Sequence, residues 1–436
     1  MSMIHEEMSW QTLNQASTFD EPFKDYPSVF DKTKELYLFN EFEEDLFQLR
    51  DRYPDLIRLE IAGYSELGRP IYVVVMGKDT APNRMLVMAT THAREYVATQ
   101  LSVLQIEFYL RNYDKTINGE RVSDLLERCQ FYFMPLHNPD GAMLSMQGLK
   151  SLDDPKLTIS AEDKAELRKF LLGELDPMHE FCENHPLYHA SDAEFYSKNP
   201  DPERENAFMY WKCNVRGVDL HNSMYTAETL ETWKEAKAKG ERTPGTFENF
   251  PVPGWQNYMG TMDLVGVDLS AENRVLSDYV ARIKPNLLVS YHTASNVIQW
   301  NYAYSKLGDA TLLANATSIS CKASDLLNFE VDDREYMLMG HPGWFMNETL
   351  KYMPSCGYGV TIELATRRYL DNVGNYPEGY IDTPPTKIIQ LTDDVVTNDG
   401  KQRYSLWTTG KFFPLALSQY IMDNHLVPEL TSPAAQ

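Results

Sequence analysis

Apolar and polar positions along the chain fall into alternating blocks that predict helices and strands in turn. Between Tyr37 and Arg52 the apolar residues recur at helical spacing, and Pro54 is expected to end this helix. The same spacing returns from about Glu95 and predicts a helix with apolar residues on more than one side. The apolar runs that predict strands are LIRLEIAGY, RPIYVVVMG, RMLVMATTH, QFYFMPL, NLLVSYH and YGVTIEL. Strands that alternate with helices favour an α/β fold.

Capping residues, Pro and Gly mark further helix ends and turns. Ser160 is expected to cap a helix that runs to about residue 172, and Ser270 is expected to cap another. The last predicted helix spans about residues 413–422. The tetrapeptide NPDG at residues 138–141 closes the fourth strand and predicts a tight turn.

The domain organisation is predicted from composition and periodicity. Residues 1–35 show no clear period and are predicted to form a lead or strap, whereas residues 36–436 are predicted to form one α/β domain. Residues 142–210 are predicted to be an acidic insertion, because they hold 14 acidic and 7 basic side chains. Such a segment is most often a solvated surface decoration, although it is also able to rim a cleft and limit access.

The net charge limits the expected partners. With 40 Lys and Arg against 63 Asp and Glu, the 436-residue chain carries a formal charge of −23. Nucleic-acid binding needs a basic footprint and anionic lipid attracts basic segments, so we expect neither a nucleic-acid nor a membrane partner. No apolar run reaches the roughly 18 residues that a bilayer span requires. The sequence indicates no particular oligomeric state.

The cysteines and the N-terminal sequence bear on location. The five cysteines are scattered and odd in number, which fits a reducing compartment better than a disulfide framework. The opening MSMIHEEMSWQTLNQ lacks the basic and apolar regions of a secretory signal. We therefore expect a cytoplasmic protein, or an exported one only if a signal has been removed.

Ionisable side chains with complementary chemistry fall where predicted strands end. His92 and Glu95 follow RMLVMATT, His292 ends NLLVSYH, and Glu363 lies near the end of YGVTIEL. Ligands of open α/β sheets bind outside the carboxyl ends of the strands, so we expect these groups to meet. Two imidazoles and one carboxylate form a catalytic zinc set that leaves one position for water. Glu363 is then the candidate general base, and Arg94 is the candidate for stabilising the oxyanion.

Each of these residues alone has a simpler interpretation. The spacing of His92 and Glu95 occurs often by chance, and a lone His292 is more often a satisfied core histidine. A lone Glu363 is able to serve as a helix cap or as an ion-pair carboxylate. The complete set in order, with each member at a strand end, is what favours a metal site.

Several short motifs occur along the chain, each of them once. They run from Gly63 to about Tyr369 and read GYSELGRPI, THAREYVATQ, NPDG, YWKCNVRGVDL, SYHTAS and VTIEL, with Tyr336 ahead of Gly340 and Trp344. Together they resemble the zinc metallocarboxypeptidases of the carboxypeptidase A superfamily. The resemblance implies an α/β/α sandwich around a mixed, mostly parallel eight-stranded sheet. It also implies one zinc per chain and hydrolysis of an amide bond by activated water.

The resemblance carries over to individual residues. It implies that His92, Glu95 and His292 bind the zinc, that Glu363 is the general base and acid, and that Arg94 helps to hold the scissile carbonyl. The residues that it implies at the substrate are Lys212, as a second oxyanion cation, His221 and Asn222, at the carboxylate-binding pair, and Tyr336, which would close over the substrate.

The sequence departs from the family at the carboxylate-binding pair. Carboxypeptidases have Asn-Arg after GVDL, whereas this chain has His221 and Asn222. Asn222 cannot form the charged bidentate fork that arginine makes to a carboxylate, so standard removal of a C-terminal residue is not expected. The segment HTASNVIQW is instead similar to bacterial members that cleave γ-D-glutamyl bonds to diamino acids in peptidoglycan. The predicted substrate is therefore a peptide or a muropeptide.

Other functions remain open at this point. One is a zinc-binding recognition protein that has lost catalysis, against which the intact Glu363 argues, and another is a deacylase of N-acylated amino acids. A second metal site also remains open, although Pro186 interrupts the segment and the paired-cysteine knuckle is missing. Its candidate ligands are His179, Cys182, His185 and His189.

Overall fold

The computed structural model describes most of the predicted domain in several ranges. They are residues 27–31, 36–171, 208, 211–218, 220–221, 270–293, 296–299, 310–332, 358–364, 391, 395–396, 402–403 and 405–427, and every structural statement below concerns these residues.

A mixed sheet of eight strands runs through the described part of the chain. Its strands are β1 (Ile57–Tyr64), β2 (Pro70–Met76), β3 (Asn83–Ala89), β6 (Cys129–Met134), β7 (Leu287–Thr293), β8 (Val297–Gln299), β9 (Glu330–Asp332) and β10 (Tyr358–Leu364). Two short hairpin-like pairs are β4 (Thr116–Ile117) with β5 (Glu120–Arg121) and β11 (Val395–Val396) with β12 (Gln402–Arg403). All six strands expected from the apolar runs are present, which confirms a mixed α/β fold.

The strand order places the parallel strands in the middle of the sheet. The order is β1-β2-β6-β3-β7-β10-β8-β9. Strands β6, β3, β7 and β10 are parallel to their neighbours within that group. Strand β1 pairs antiparallel with β2, β2 with β6, and β8 with β10. The carboxyl ends of β3, β7 and β10 therefore lie side by side at one edge of the sheet.

Helices connect and cover the strands. They are α1 (Phe39–Arg52), α2 (Val97–Arg111), α3 (Val122–Arg128), α4 (Pro139–Gln147), α5 (Ala161–Leu171), α6 (Ala271–Ile283), α7 (Ala310–Leu327), α8 (Leu406–Gly410) and α9 (Phe413–Asp423). Ser160 and Ser270 accept hydrogen bonds from the backbone at the starts of α5 and α6, as the sequence predicts. None of the described helices has the length and apolar character that a bilayer crossing needs.

The NPDG motif begins a helix, so the predicted tight turn is wrong. The side chain of Asn138 accepts a hydrogen bond from the backbone N–H of Gly141, and Pro139 occupies the first position of α4. A tight turn and a helix start favour the same residues, because Asn followed by Pro suits the cap and first position of a helix as well as a turn. In the structure the residues that follow continue the helix as far as Gln147 and are buried as far as Met146.

Both faces of the sheet are buried against helices. Along β3, Met85 and Val87 join the core that contains α2 and α9, whereas Leu86 and Met88 join the core that contains α6. This alternation is what a central strand with two covered faces requires. The fold is therefore an α/β/α arrangement with its parallel strands fully enclosed.

A smaller core lies beside the edge at which the parallel strands end. It joins Leu144 and Leu152, from the first part of the predicted insertion, with Trp211 and with Ala93 of the loop after β3. The described residues at 142–152 are thus mostly buried rather than a surface decoration. The predicted domain boundaries themselves stay predictions.

Candidate metal centre

Three neighbouring parallel strands bring the predicted chemistry to one place. His92 lies three residues beyond the end of β3, and His292 and Glu363 lie near the ends of β7 and β10. In the pairing of β7 with β10, Glu363 is the register partner of His292. Residues that pair in this way point to the same face of a sheet, so the two side chains share one surface.

Two imidazoles and one carboxylate form a tight triangle of donor atoms. Nδ1 of His92 lies 2.9 Å from Oε1 of Glu95, and Nδ1 of His292 lies 3.0 Å from Oε2 of Glu95. The two Nδ1 atoms lie 3.1 Å apart. Burial alone would raise the pKa of Glu95, but the two imidazoles beside it lower that pKa well below its usual range. The carboxylate is therefore held in its charged form.

Thr90 stabilises the loop that carries His92 and Glu95. It does so through hydrogen bonds of its hydroxyl group, although its own backbone is strained. Thr90 is β-branched and yet has a φ of 53°, a left-handed conformation that such residues rarely adopt. Its hydroxyl donates to the carbonyl of Glu95 at 3.1 Å and lies 2.7 Å from the hydroxyl of Thr99. Strain of this kind persists only where surrounding contacts fix it, often at functional sites.

Asn138 ties this loop to a second segment of the site. Its amide nitrogen donates to the carbonyl oxygens of Thr91 and Cys213, both at 3.1 Å, and the residue is fully buried. Thr91 directly precedes His92, and Cys213 directly follows Lys212. The cap of α4 is thus also the brace between the two loops.

Residues 211–218 and 220–221 are held against α6. Asn214 donates to the buried carboxylate of Glu272 at 3.0 Å, and Asn273 donates to the carbonyl of Leu220 at 3.0 Å. Burial, with the nearby carboxylates, raises the pKa of Glu272 to about 8. These bonds hold the residue that follows Leu220, which is His221.

Glu363 stands in a mixed electrostatic environment. Burial raises the pKa of its carboxyl, the imidazolium charges of His292 and His92 would lower it, and Glu95 raises it. Gln299 of β8 donates a hydrogen bond to its Oε1 at 3.2 Å. The result is a carboxyl with a pKa above its ordinary value, which suits a group that accepts and then returns a proton.

The predicted site residues differ in how far the structure describes them. His92, Glu95 and His292 lie together, and Glu363 lies on the adjacent strand, as the sequence predicts. Lys212 is buried, and its carbonyl accepts from the backbone N–H of Ala93 at 2.9 Å. Arg94 is half-buried in the same loop as His92. The other predicted residues, Asn222, Tyr336, His179, Cys182, His185 and His189, lie outside the described residues.

The structure adds contacts that the sequence does not reveal. Nδ1 of His221 lies 3.2 Å from Nε2 of His292, and ligand atoms of His92, His221 and His292 all lie within 4.8 Å of one another. The prediction that His221 binds substrate stays a prediction. The contact of Gln299 with Glu363 was also missed, because only the pairing of β8 with β10 brings them together. The polar Gln299 in the otherwise apolar run VIQW was a weak signal for this contact.

The donor triangle fits a zinc ion. Zinc bound to imidazole nitrogen and carboxylate oxygen at about 2.0–2.2 Å in tetrahedral geometry separates its ligand atoms by about 3.3 Å. The three separations of 2.9, 3.0 and 3.1 Å are close to this value. Two imidazoles that turn ring nitrogens towards each other and towards one carboxylate are typical of a set arranged around a cation.

Comparisons with known proteins bear on the same site. A sequence model of the family described as zinc carboxypeptidase matches residues 42–343. The chain is 22% identical over 302 residues to the uncharacterized protein YqgT of Bacillus subtilis, which is 68% of this chain and 65% of that protein. It is 22% identical over 268 residues to gamma-D-glutamyl-L-diamino acid endopeptidase 1 of Lysinibacillus sphaericus, which is 61% of this chain and 52% of that protein. The chain thus spans between half and two thirds of the length of these relatives.

The fold is also similar to that of a solved structure. The carboxypeptidase A of Helicoverpa armigera superposes with a TM-score of 0.50 at 12% sequence identity. The superposition covers 93% of this chain and 80% of that one. At this identity the similarity concerns the fold.

Proposed function

The chain belongs to the zinc carboxypeptidase family, and on that premise we propose that it is a zinc-dependent hydrolase of a peptide or amide bond. The observation that carries the proposal is the donor triangle of His92, Glu95 and His292 beside Glu363 on the adjacent strand. These three residues hold the zinc, one per chain. A zinc ion held there would supply Lewis-acid chemistry: it would polarise the scissile carbonyl and lower the pKa of a water molecule.

Glu363 moves the proton in the proposed reaction. Its carboxylate accepts a proton from the attacking water and returns that proton to the leaving nitrogen. The position of Glu363 supports this role, because it is the register partner of the proposed ligand His292 on the adjacent strand. Gln299 orients the carboxylate through the hydrogen bond to Oε1.

Two cationic side chains stabilise the negative charge that develops on the carbonyl oxygen. Arg94 lies between the proposed ligands in sequence, and Lys212 lies in the segment bonded to the backbone of Ala93. Preorganised cations of this kind contribute most in a site that excludes water. The burial of Lys212 supports its assignment.

The proposed substrate is a peptidoglycan-derived peptide rather than an ordinary C-terminus. Asn222 stands where the family has a carboxylate-gripping arginine, and it lacks the charge and the fork of that arginine. The relative from Lysinibacillus sphaericus, named a gamma-D-glutamyl-L-diamino acid endopeptidase, supports the same substrate class. Tyr336 and His221 complete the proposed substrate-binding set.

The substitution Glu363→Gln tests the proposed mechanism. It removes the base and keeps the size of the side chain, so kcat should fall by a factor of about 10²–10⁴ while zinc stays bound. Glu127→Gln is the matched control, because Glu127 is an exposed carboxylate that pairs with Lys78 at the surface. Full hydrolysis by the Glu363→Gln protein would refute the assignment of the base.

A substrate comparison tests the proposed specificity. Purified protein is offered a peptide with a γ-D-glutamyl bond to a diamino acid and an ordinary peptide of equal length, and kcat/KM is measured for both. We expect a higher kcat/KM for the γ-D-glutamyl bond. Faster trimming of the ordinary C-terminus would refute the substrate class, and inactivity on a broad amide library with zinc loaded would favour a non-catalytic binding protein.

A further inference from the structure

The ring of His221 packs directly against that of the proposed ligand His292. The ring centroids lie 4.7 Å apart at an interplanar angle of 89°, and His221 is only 5% exposed. Nδ1 of His221 is 3.2 Å from Nε2 of His292. This edge of the His292 ring is not the one that faces Glu95, since Glu95 and His92 contact the Nδ1 atom.

The two ring nitrogens of His292 therefore have different tasks. A nitrogen that binds a metal uses its lone pair and carries no proton. Because Nδ1 of His292 faces Glu95 and His92, its proton must be on Nε2 when a metal is bound. That N–H points at Nδ1 of His221, which accepts it only if His221 keeps its own proton on Nε2.

We propose that His221 is a positioning residue that holds His292 in its metal-binding tautomer and orientation. The inference rests on the zinc site of the proposed function and adds to it. Histidine ligands of metals usually donate their second N–H to a carboxylate, a backbone carbonyl or water, and the partner fixes the ring and its basicity. Here an imidazole takes that place.

A direct role of His221 as a fourth ligand is the competing arrangement. Ligand atoms of His92, His221 and His292 lie within 4.8 Å of one another, a spacing at which all three could bind one metal ion. The hydrogen-bond geometry favours the positioning role, because Nδ1 of His221 meets the nitrogen of His292 that faces away from the donor triangle. A metal in that triangle is contacted through the opposite side of the His292 ring.

The anchoring of His221 agrees with a fixed position. The carbonyl of the preceding Leu220 accepts from Asn273 at 3.0 Å, and Asn273 lies in the first turn of α6. The ring of His221 is also 5.5 Å from that of His92. The backbone next to His221 is therefore tied to α6.

Zinc affinity of two variants distinguishes the arrangements. His221→Leu removes the acceptor, whereas His221→Gln keeps an oxygen that accepts the Nε2–H of His292. We expect His221→Leu to weaken zinc binding about 10–100-fold in chelator competition, and His221→Gln to restore it to within a few-fold of wild type. His425→Asn is the matched control, because His425 is exposed at the end of α9.

The outcomes separate this inference from the proposed function. A dissociation constant for His221→Leu within about twofold of wild type, or equal losses in both variants, overturns the positioning role. Either result leaves wild-type zinc binding and the role of Glu363 intact. Failure of the wild-type protein to bind zinc overturns both proposals.

A second measurement needs no variant. X-ray absorption spectroscopy of the zinc-loaded wild-type protein counts the imidazoles bound to the metal. Two bound imidazoles are expected if His221 acts through His292, and three would overturn the proposal. Because folding defects in His221→Leu do not affect this measurement, the inference stays testable if that variant does not fold.

Discussion

Asn138 is the residue whose removal tests the scaffold of the site most sharply. Its side chain caps α4 by accepting from Gly141, and it donates to the carbonyls of Thr91 and Cys213, all at 3.1 Å. It is fully buried, so water cannot replace these bonds without a rearrangement. The substitution Asn138→Ala removes all three bonds at once.

The expected cost follows from these bonds. The lost helix cap contributes about 1 kcal/mol, and each of the two buried hydrogen bonds contributes about 1–1.5 kcal/mol. We therefore expect Asn138→Ala to lower the free energy of unfolding by about 3–4 kcal/mol. Zinc affinity should fall as well, because the carbonyl of Thr91 directly precedes His92 and loses its anchor.

Urea-induced unfolding followed by circular dichroism measures this effect. It is done with chelator present, so that the contribution of bound metal to stability is excluded. Asn424→Ala is the matched control: Asn424 is exposed and its side chain donates to the carbonyl of Tyr420 in its own helix end, so the expected change is below about 0.5 kcal/mol. A change at Asn138 as small as that of the control would refute the bracing role.

Three further predictions concern the pH dependence of stability, the pKa of the proposed base and the tight packing at Gly141. Burial, opposed by the hydroxyl of Tyr37, raises the pKa of Asp45 to about 7. The folded protein then holds a proton that the unfolded chain releases near pH 4, so wild-type stability should fall as pH rises from about 4 to 7. The substitution Asp45→Asn should remove that fall in unfolding curves at pH 5 and pH 8, and an unchanged pH dependence would contradict it. Gln299→Leu removes a hydrogen-bond donor to the carboxylate of Glu363, so the pKa of Glu363 should rise. The acid limb of the pH profile of kcat/KM should then move up by as much as about one pH unit. An unchanged acid limb would show that this hydrogen bond does not affect the base. In Gly141→Ala the new Cβ would lie 2.5 Å from a backbone carbonyl oxygen, so we expect a loss of about 1–3 kcal/mol in thermal or urea unfolding, and wild-type stability would contradict the packing.

The convergence of the site was predictable from the sequence because it depends on a simple rule. His92, His292 and Glu363 each follow or lie near the end of an apolar run that predicts a buried strand, and parallel strands bring such ends together. Ser270 and the apolar spacing after it were enough to predict α6. The same local patterns predict helices and strands wherever burial on one face is strong.

Other features depend on contacts between distant parts of the chain. Helix α7 (Ala310–Leu327) was not predicted, because half of its buried positions are the small residues Ala316, Ser320 and Ala323, which leave a weak apolar pattern. The contact of His221 with His292 depends on the bonds of Asn214 and Leu220 to α6, for which no local pattern exists. A residue read as part of a substrate-binding pair thus lies against a proposed metal ligand.

The central claim is that one zinc ion is held by His92, Glu95 and His292. Diffraction data from crystals of the zinc-loaded protein, collected at the zinc absorption edge, test it most directly. We expect one anomalous peak within about 2.0–2.2 Å of Nδ1 of His92, Nδ1 of His292 and a carboxylate oxygen of Glu95, with Glu363 beside the ion but not bound to it. A zinc peak elsewhere, or none within that triangle, would contradict the claim.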